Sequence, residues 1–158
     1  YIKKALLSFK GVQRRFTLVN KINGTMIYDD YAHHPKEIQS SFDIARILCK
    51  KKIVVIFQPH RYSRTKLLFK DFINVLKDFD VVVLGDIYPA GEKKIVGLDK
   101  KLFSLLKRKS KNVVLKIEKE KKLHSVIKPY ISKNNLIIFM GAGSITNWAK
   151  NFIINYRQ

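Results

Sequence analysis

Four polar segments of the sequence carry most of the residue types that could do chemistry, and each follows a short apolar run. They are residues 29–35, 58–65, 86–92 and 141–144. In a parallel α/β sheet the carboxyl ends of the strands share one edge, and ligands bind in the crevice along that edge. If each apolar run is a strand, the four segments are therefore predicted to converge on a single site.

The first segment holds a histidine that could handle a proton. Tyr31 and His33 are two positions apart, so an extended backbone directs both to one side and His34 to the other. A loop histidine can also be a structural group or a helix cap. The adjacent Asp29 and Asp30 weaken this structural interpretation without removing it, because a carboxylate beside an imidazole can fix its tautomer and raise its pKa. His33 is therefore the candidate catalytic residue.

The second segment holds two arginines at helical spacing. Arg61 and Arg64 share a face if the segment is helical, which would direct two guanidinium groups at one carboxylate or phosphate. Arginine cannot act as a base, because its pKa exceeds about 12. Cations near the start of a helix also oppose its macrodipole and require a compensating anion. The pair is therefore predicted to bind an anionic group of a ligand.

The last two segments are less specific. Asp86, Tyr88 and Glu92 could form a substrate loop or an ordinary surface turn. Residues 141–143 begin like a dinucleotide-binding fingerprint, but Thr146 occupies the position of the third glycine and the motif follows the last strand. This argues against a nicotinamide-dependent oxidoreductase. The glycines are expected to bring backbone close to a ligand or to pack strand against helix.

Two kinds of site are not predicted from this sequence. No glycine-rich segment ends in Gly-Lys-Ser or Gly-Lys-Thr, so the chain lacks the type of loop that cradles a triphosphate. No metal site is predicted either. Any triphosphate that the function requires must therefore be bound by residues outside this chain.

The elements that position these segments alternate along the chain. Apolar β-branched runs alternate with amphipathic stretches, which predicts an α/β fold with a doubly wound, mostly parallel, Rossmann-like sheet and helices on both faces. Asn23-Gly24 accepts the positive φ of a tight turn, so residues 16–19 and 26–28 are predicted to form an N-terminal antiparallel hairpin. A helix should begin near Pro35, where the missing N–H costs nothing. Buried strands are predicted at residues 53–57, 81–84, 113–117 and 136–140.

Composition limits the cellular context. At 158 residues with 46% hydrophobic content, the chain has room for one domain with its own core. No apolar run approaches the roughly 18 residues that a membrane-spanning helix needs, and no basic-then-apolar leader is found. The single cysteine, Cys49, excludes an internal disulfide and fits a reducing compartment. These features predict a cytoplasmic protein without a membrane partner.

The net charge of +20, from 32 Lys and Arg against 12 Asp and Glu, favours polyanions as partners. A basic nucleic-acid-binding module is therefore the main alternative to an enzyme. The lysines, however, are spread over many segments and form no single stripe with interleaved aromatic residues. This distribution favours a solvated basic surface, and nucleic acid is not expected as a partner.

In their order along the chain, these motifs resemble the C-terminal domain of the Mur ligase family. The resemblance covers nearly the whole chain and rests on residues 11–16, 29–37, 57–65, 86–92 and 141–145. Its most specific element is Gln-Pro-His-Arg-Tyr-Ser-Arg-Thr, which is typical of the members that join L-alanine to UDP-N-acetylmuramate. Members that recycle a murein tripeptide share the Asp-Asp-x-Ala-His-His-Pro pattern and are the closest alternative. Ser144 is a departure, because many members have Asp there.

The resemblance implies an ATP-dependent, amide-forming enzyme of peptidoglycan synthesis. ATP would phosphorylate the muramoyl carboxylate, and the amine of L-alanine would attack the acyl phosphate. Residues 1–10, whose apolar positions have helical spacing, would end a preceding domain or linker helix, and residues 11–158 would form the amino-acid-binding domain. The domains that bind the UDP-sugar, ATP and Mg²⁺ would lie outside this fragment as its partners, and the fragment would hold no cofactor of its own.

The resemblance also implies roles for individual residues. The segment that contains Asp29 and Asp30 would approach the ribose and adenine side of the nucleotide. The positions that surround the incoming amino acid are matched by Tyr31, His33, Arg61 and Arg64.

Overall fold

A six-stranded sheet organises residues 14–156, the part of the chain that this computed structural model describes. The strand order is β1-β2-β6-β3-β4-β5, and every neighbouring pair is parallel except β1 and β2. The predicted fold class is confirmed. The strands are β1 (Thr17–Ile22), β2 (Thr25–Asp30), β3 (Ile53–Phe57), β4 (Val81–Leu84), β5 (Val113–Lys116) and β6 (Leu136–Met140).

The N-terminal hairpin turns at the predicted Asn23-Gly24 pair. Both residues have positive φ, 47° and 79°, which is the requirement of a type I′ turn. The β1 and β2 strands are longer than the apolar runs that predicted them, and a bulge interrupts the register between Leu18 and Asn20. A Cβ atom at Gly24 would lie 3.1 Å from the Cα of Lys133, so the turn packs tightly against the segment that leads into β6.

Helices fill the connections between the parallel strands. The first begins at Pro35 as predicted, and His34 caps it, because the His34 Nδ1 accepts from the Lys36 amide at 3.3 Å. Glu37 completes the capping box by accepting from the amides of His33 and His34, each at 3.0 Å. The helices are α1 (Pro35–Leu48), α2 (Tyr62–Leu67), α3 (Phe69–Leu76), α4 (Leu98–Lys109), α5 (Leu123–Ile127) and α6 (Ile145–Tyr156).

The two faces of the sheet carry separate hydrophobic clusters. Side chains alternate along each strand, so Val55 and Phe57 of β3 enter one cluster while Val54 and Ile56 enter the other. The first cluster packs under α1, α3 and α4, and the second under α5 and α6. Both faces of the central strands are therefore buried, which explains their continuous apolar sequences. None of the helices described between residues 14 and 156 is long and apolar enough to cross a membrane.

Asp80 connects three elements at the amino ends of the central strands. Its Oδ2 accepts from the Arg46 guanidinium of α1 and from the Ile53 amide at the start of β3, each at 2.8 Å. Asp80 itself immediately precedes β4. One carboxylate therefore fixes where β3 begins relative to the helix and strand beside it.

Replacing Asp80 with Ala should lower the free energy of unfolding by about 1–2 kcal/mol. The substitution leaves the Ile53 amide without its charged acceptor, although the partial exposure of the ion pair limits the loss. Asp78→Ala, at an exposed position two residues earlier, is the matched control and should change stability by less than about 0.5 kcal/mol. Equal losses in denaturant titrations of the two variants would contradict this role.

Candidate functional site

The four polar segments meet at one edge of the sheet because the strands before them end at the same level. The last residues of neighbouring parallel strands are paired: Asp30 with Met140, Met140 with Phe57, Phe57 with Leu84, and Leu84 with Lys116. Backbone hydrogen bonds then join the loops. The first loop meets the last through Gly141 N and Asp30 O at 3.0 Å, and the second meets the third at an isolated bridge between His60 and Tyr88.

Four aromatic rings form a continuous series along this edge. Tyr31 meets His33 edge-on at 5.2 Å between ring centroids, and His33 lies 5.9 Å from His60. His60 stacks on Tyr88 at 5.5 Å with 13° between the planes. We call these four residues the aromatic row. The row brings together three of the predicted segments and one residue, His60, that was not singled out from the sequence although it directly precedes Arg61.

The contacts of His33 indicate which ring nitrogen is left as an acceptor. Its Nδ1 lies 2.9 Å from the carbonyl oxygen of Tyr31. A carbonyl only accepts, so the neutral ring carries its proton on Nδ1, and Nε2 keeps the lone pair. The nearby carboxylate is Glu37, whose Oε2 is 3.5 Å from Nδ1. The expectation that Asp29 or Asp30 would pair with this imidazole is therefore wrong.

Asp29 and Asp30 are buried and interact within the domain. Asp29 lies 3.6 Å from the Arg14 guanidinium and accepts from the Thr146 hydroxyl at 3.1 Å. Burial raises the pKa of Asp29, and the Arg14 charge opposes that rise. Asp30 accepts from the Ala32 amide at 3.0 Å and from the Ser41 hydroxyl. These carboxylates hold the first loop on α1 and α6 and do not polarise His33.

Arg14 fixes the position of Tyr31. Its guanidinium lies over the Tyr31 ring, 4.7 Å from the centroid, and donates to the carbonyl of Gly141 at 2.7 Å. The Tyr31 amide in turn donates to the Arg14 carbonyl at 2.6 Å. The first and last loops are thus joined through one side chain, whose role in the site was not predicted from the sequence.

Arg61 and Arg64 flank His60 but are not on one helical face as predicted. Arg61 precedes α2 with φ of 72°, a left-handed conformation that is uncommon for a non-glycine residue. Its amide donates to the Tyr88 carbonyl at 2.8 Å, and its carbonyl accepts from Thr65. Arg64 lies in the first turn of α2 and is half-buried. The backbone of Arg61 is therefore fixed, while its side chain extends into solvent.

The anion expected at the start of α2 is supplied by the protein itself. Glu92 accepts from the Ser63 amide at 2.9 Å and from the Ser63 hydroxyl. These hydrogen bonds lower the pKa of Glu92, and the Arg61 charge adds to the effect. The sequence leaves open whether Glu92 belongs to a substrate loop or a surface turn, and in the structure its contacts are those of a helix cap.

The other two candidate residues of the third loop, Asp86 and Tyr88, have different roles. Asp86 pairs with Lys116 at 3.1 Å, and Lys116 also reaches Asp99 at 3.3 Å. Tyr88 is the member of the predicted substrate loop that enters the aromatic row. A Cβ at Gly143 would lie 2.7 Å from the Tyr88 ring, so this glycine allows the last loop to pack beneath the row.

His60 is partly buried and lies near positively charged side chains. Burial lowers its pKa, and the charges of Arg64 and Arg61, together with that of His33 when it is protonated, lower it further. Its Nδ1 is buried and has no hydrogen-bond partner among the described residues. The ring is therefore neutral near pH 7 and able to accept a hydrogen bond. The same part of the chain contains no group of three His, Cys, Asp or Glu side chains that could hold a metal ion.

The family model described as "Mur ligase, glutamate ligase domain" matches residues 14–143. The chain belongs to the Mur ligase family. The matched residues include all six strands and the whole aromatic row.

Several similar proteins are named as ligases. The UDP-N-acetylmuramate--L-alanine ligase of Agrobacterium fabrum is 42% identical over 149 residues, which are 94% of this chain and 32% of that protein. The solved UDP-N-acetylmuramate-alanine ligase of Thermotoga maritima is 32% identical with a TM-score of 0.76, over 98% of this chain and 32% of that one. A murein peptide ligase from Psychrobacter arcticus shares the fold at 20% identity and a TM-score of 0.74, over 96% and 31%. This Mur ligase domain spans about a third of the length of these relatives.

The lowered pKa of His60 can be measured by NMR titration. Because the folded state favours the neutral ring, the stability that His60 contributes is present above pH 6.5 and is lost as the pH falls through its folded pKa. Arg64→Gln should raise that pKa by removing a neighbouring cation. Lys66→Gln, on the exposed surface of the same helix, is the control and should have a smaller effect. A wild-type midpoint at or above 6.5 would refute the assignment.

Proposed function

We propose that this domain binds L-alanine in a ligase that joins it to UDP-N-acetylmuramate. The reaction would use ATP, proceed through an acyl phosphate, and serve peptidoglycan synthesis in the cytoplasm. The names of the relatives support this proposal, and so does the Gln-Pro-His-Arg-Tyr-Ser-Arg-Thr motif at residues 58–65. Because the chain spans a third of those relatives, we assign the UDP-sugar and ATP sites to two further domains of the complete enzyme.

The observation that carries the proposal is that Arg61 and Arg64 follow closely after His60, whose ring lies 5.9 Å from that of His33. An amino acid presents a carboxylate and an amine. Arg61 and Arg64 suit the carboxylate, because guanidinium forms charge-assisted hydrogen bonds with it. His33 can accept a hydrogen bond from the amine through Nε2, and the His60 ring lies beside it, with 5.9 Å between the ring centroids. The carboxyl edge of the sheet thus offers complementary groups for both ends of one small zwitterion.

Proton transfer would fall to His33. An ammonium group cannot attack an acyl phosphate, so the amine must lose a proton before or during bond formation. The Nε2 lone pair of His33 can take that proton, and the Tyr31 carbonyl and the Glu37 carboxylate beside Nδ1 would stabilise the resulting imidazolium. Tyr31, fixed by Arg14, would form the wall of the site next to this histidine.

Neither a triphosphate nor a metal ion is assigned to this domain in the proposal. The sequence has no phosphate-cradling loop, and residues 14–156 hold no metal-binding group. Among solved proteins of the same fold, a MurF ligase contains ADP, and a bifunctional folylpolyglutamate synthase/dihydrofolate synthase contains AMPPNP and Mn. We assign ATP and Mg²⁺ to the central domain, with the loop of Asp29 and Asp30 facing the ribose and adenine. The alternative acceptor, a murein tripeptide, is tested by offering it in place of L-alanine.

Loss of either arginine in the full-length enzyme should raise the KM for alanine by roughly ten- to a hundredfold. One charge-assisted hydrogen bond contributes about 1.5–3 kcal/mol. Arg61→Lys should restore little, because an ammonium lacks the planar fork. The KM values for ATP and UDP-sugar should stay constant, and Lys66→Gln should leave all three unchanged. Unaltered alanine KM values in both Arg61→Gln and Arg64→Gln would refute the proposed carboxylate site.

Replacing His33 with Ala should lower kcat by about 10²–10⁴-fold at neutral pH, the usual cost of losing a general base. The deficit should shrink as the pH rises, because more of the free amine is then present without catalysis. His124→Ala is the control, because the His124 ring packs on Phe152 and Tyr156 in the hydrophobic cluster under α5 and α6 and is not part of the aromatic row. A His33→Ala enzyme with normal turnover at every pH would exclude this role.

A further inference from the structure

The edge of the sheet opposite the aromatic row contains a basic pocket of about 450 Å³. Three chain segments meet there: the β1-β2 turn, the segment between α1 and β3, and the segment before β6. The Asn134 amide donates to the Gly24 carbonyl at 3.1 Å, which joins the first segment to the third. The lining residues are Lys21, Gly24, Met26, Leu48, Lys50, Lys51, Lys133 and Asn134.

The four lysines of this pocket are exposed and uncompensated. None of them forms an ion pair with a carboxylate among the described residues, and the lining contains no acidic side chain. The acids of α1, Glu37 and Asp43, both precede its last turns. Lys116 provides the contrast, because it is held between two aspartates. The pocket therefore concentrates positive charge that the fold itself does not use.

Exposed aliphatic side chains border the same pocket. The last turn of α1 exposes Ile47 (74%) and Leu48 (49%), and Leu48 also lines the pocket. The lysines follow directly at positions 50 and 51. Adjacent apolar side chains that are exposed to water in this way indicate a surface that contacts a membrane or another molecule.

We propose that this face docks on a membrane surface that contains anionic phospholipid. The lysines would contact the headgroups, and the aliphatic side chains would enter the interface between headgroups and acyl chains. Single-stranded nucleic acid fits less well, because its bases stack on aromatic rings, which this surface lacks. The basic-aliphatic patch consists of Lys21, Ile47, Leu48, Lys50, Lys51 and Lys133.

Docking through the patch is independent of the proposed reaction and compatible with it. The strands run from the patch to the aromatic row, so a membrane bound at their amino ends leaves the carboxyl edge open to substrates. The sequence predicts no membrane partner. This proposal replaces that prediction with contact at a membrane surface, which needs no spanning helix among the described residues.

Flotation of the 158-residue chain with vesicles tests the proposal. Vesicles of phosphatidylglycerol and phosphatidylcholine at roughly 1:2 should bind the protein near physiological salt, and phosphatidylcholine alone should not. Changing Lys21, Lys50, Lys51 and Lys133 to Gln should weaken binding at least tenfold, since each lysine near an anionic surface contributes roughly fivefold. Changing Ile47 and Leu48 to Gln should weaken binding several-fold without altering the circular dichroism spectrum.

The matched control removes four exposed lysines elsewhere, at positions 93, 94, 109 and 111, and so has the same net charge as the patch variant. It should retain most of the vesicle binding. Equal losses in the two quadruple variants would overturn the proposal, because binding would then reflect total charge alone. Vesicle binding that is insensitive to Ile47 and Leu48, or a patch variant that loses affinity for DNA while keeping its affinity for vesicles, would overturn it as well.

Discussion

The parallel register of the central strands is the constraint on which the rest of the structure depends. Strands buried on both faces must satisfy their backbone hydrogen bonds within the sheet, because no water reaches them. The pairing of Phe57 with Met140 and Leu84 therefore fixes the heights at which three neighbouring loops begin. The rings of His33, His60 and Tyr88, supplied by three loops, meet because the apolar core places their strand ends side by side.

The electrostatics of the site follow from this placement. Arg61 and Arg64 lie around an imidazole that is partly removed from water, so His60 stays neutral while the guanidinium groups remain charged. His33 is held in one tautomer by a backbone carbonyl, which the first loop provides without any acidic partner other than Glu37. The buried aspartates and Glu92 act indirectly, because they hold the loops that carry these groups.

Sequence reasoning predicted the strands well because burial on both faces leaves a continuous apolar run that is visible without a structure. The run of residues 53–57 matches β3, and Pro35 does begin α1. Sequence reasoning failed where contacts between residues far apart in the chain determine the structure. Nothing near Asp30 in the sequence identifies Ser41 as its partner, and nothing near Ser63 predicts Glu92 as the cap of its helix. The positive φ of Arg61 also has no local signal, because an arginine gives no hint of a left-handed backbone.

The most direct test of the central claim is a structure of the full-length protein with ADP and the product of the proposed reaction, UDP-N-acetylmuramoyl-L-alanine. The account predicts that the alanine carboxylate lies within hydrogen-bonding distance, about 3 Å, of the Arg61 or Arg64 guanidinium, with the new amide nitrogen beside Nε2 of His33. A product bound with its carboxylate away from both arginines, and with the aromatic row facing solvent, would contradict the account.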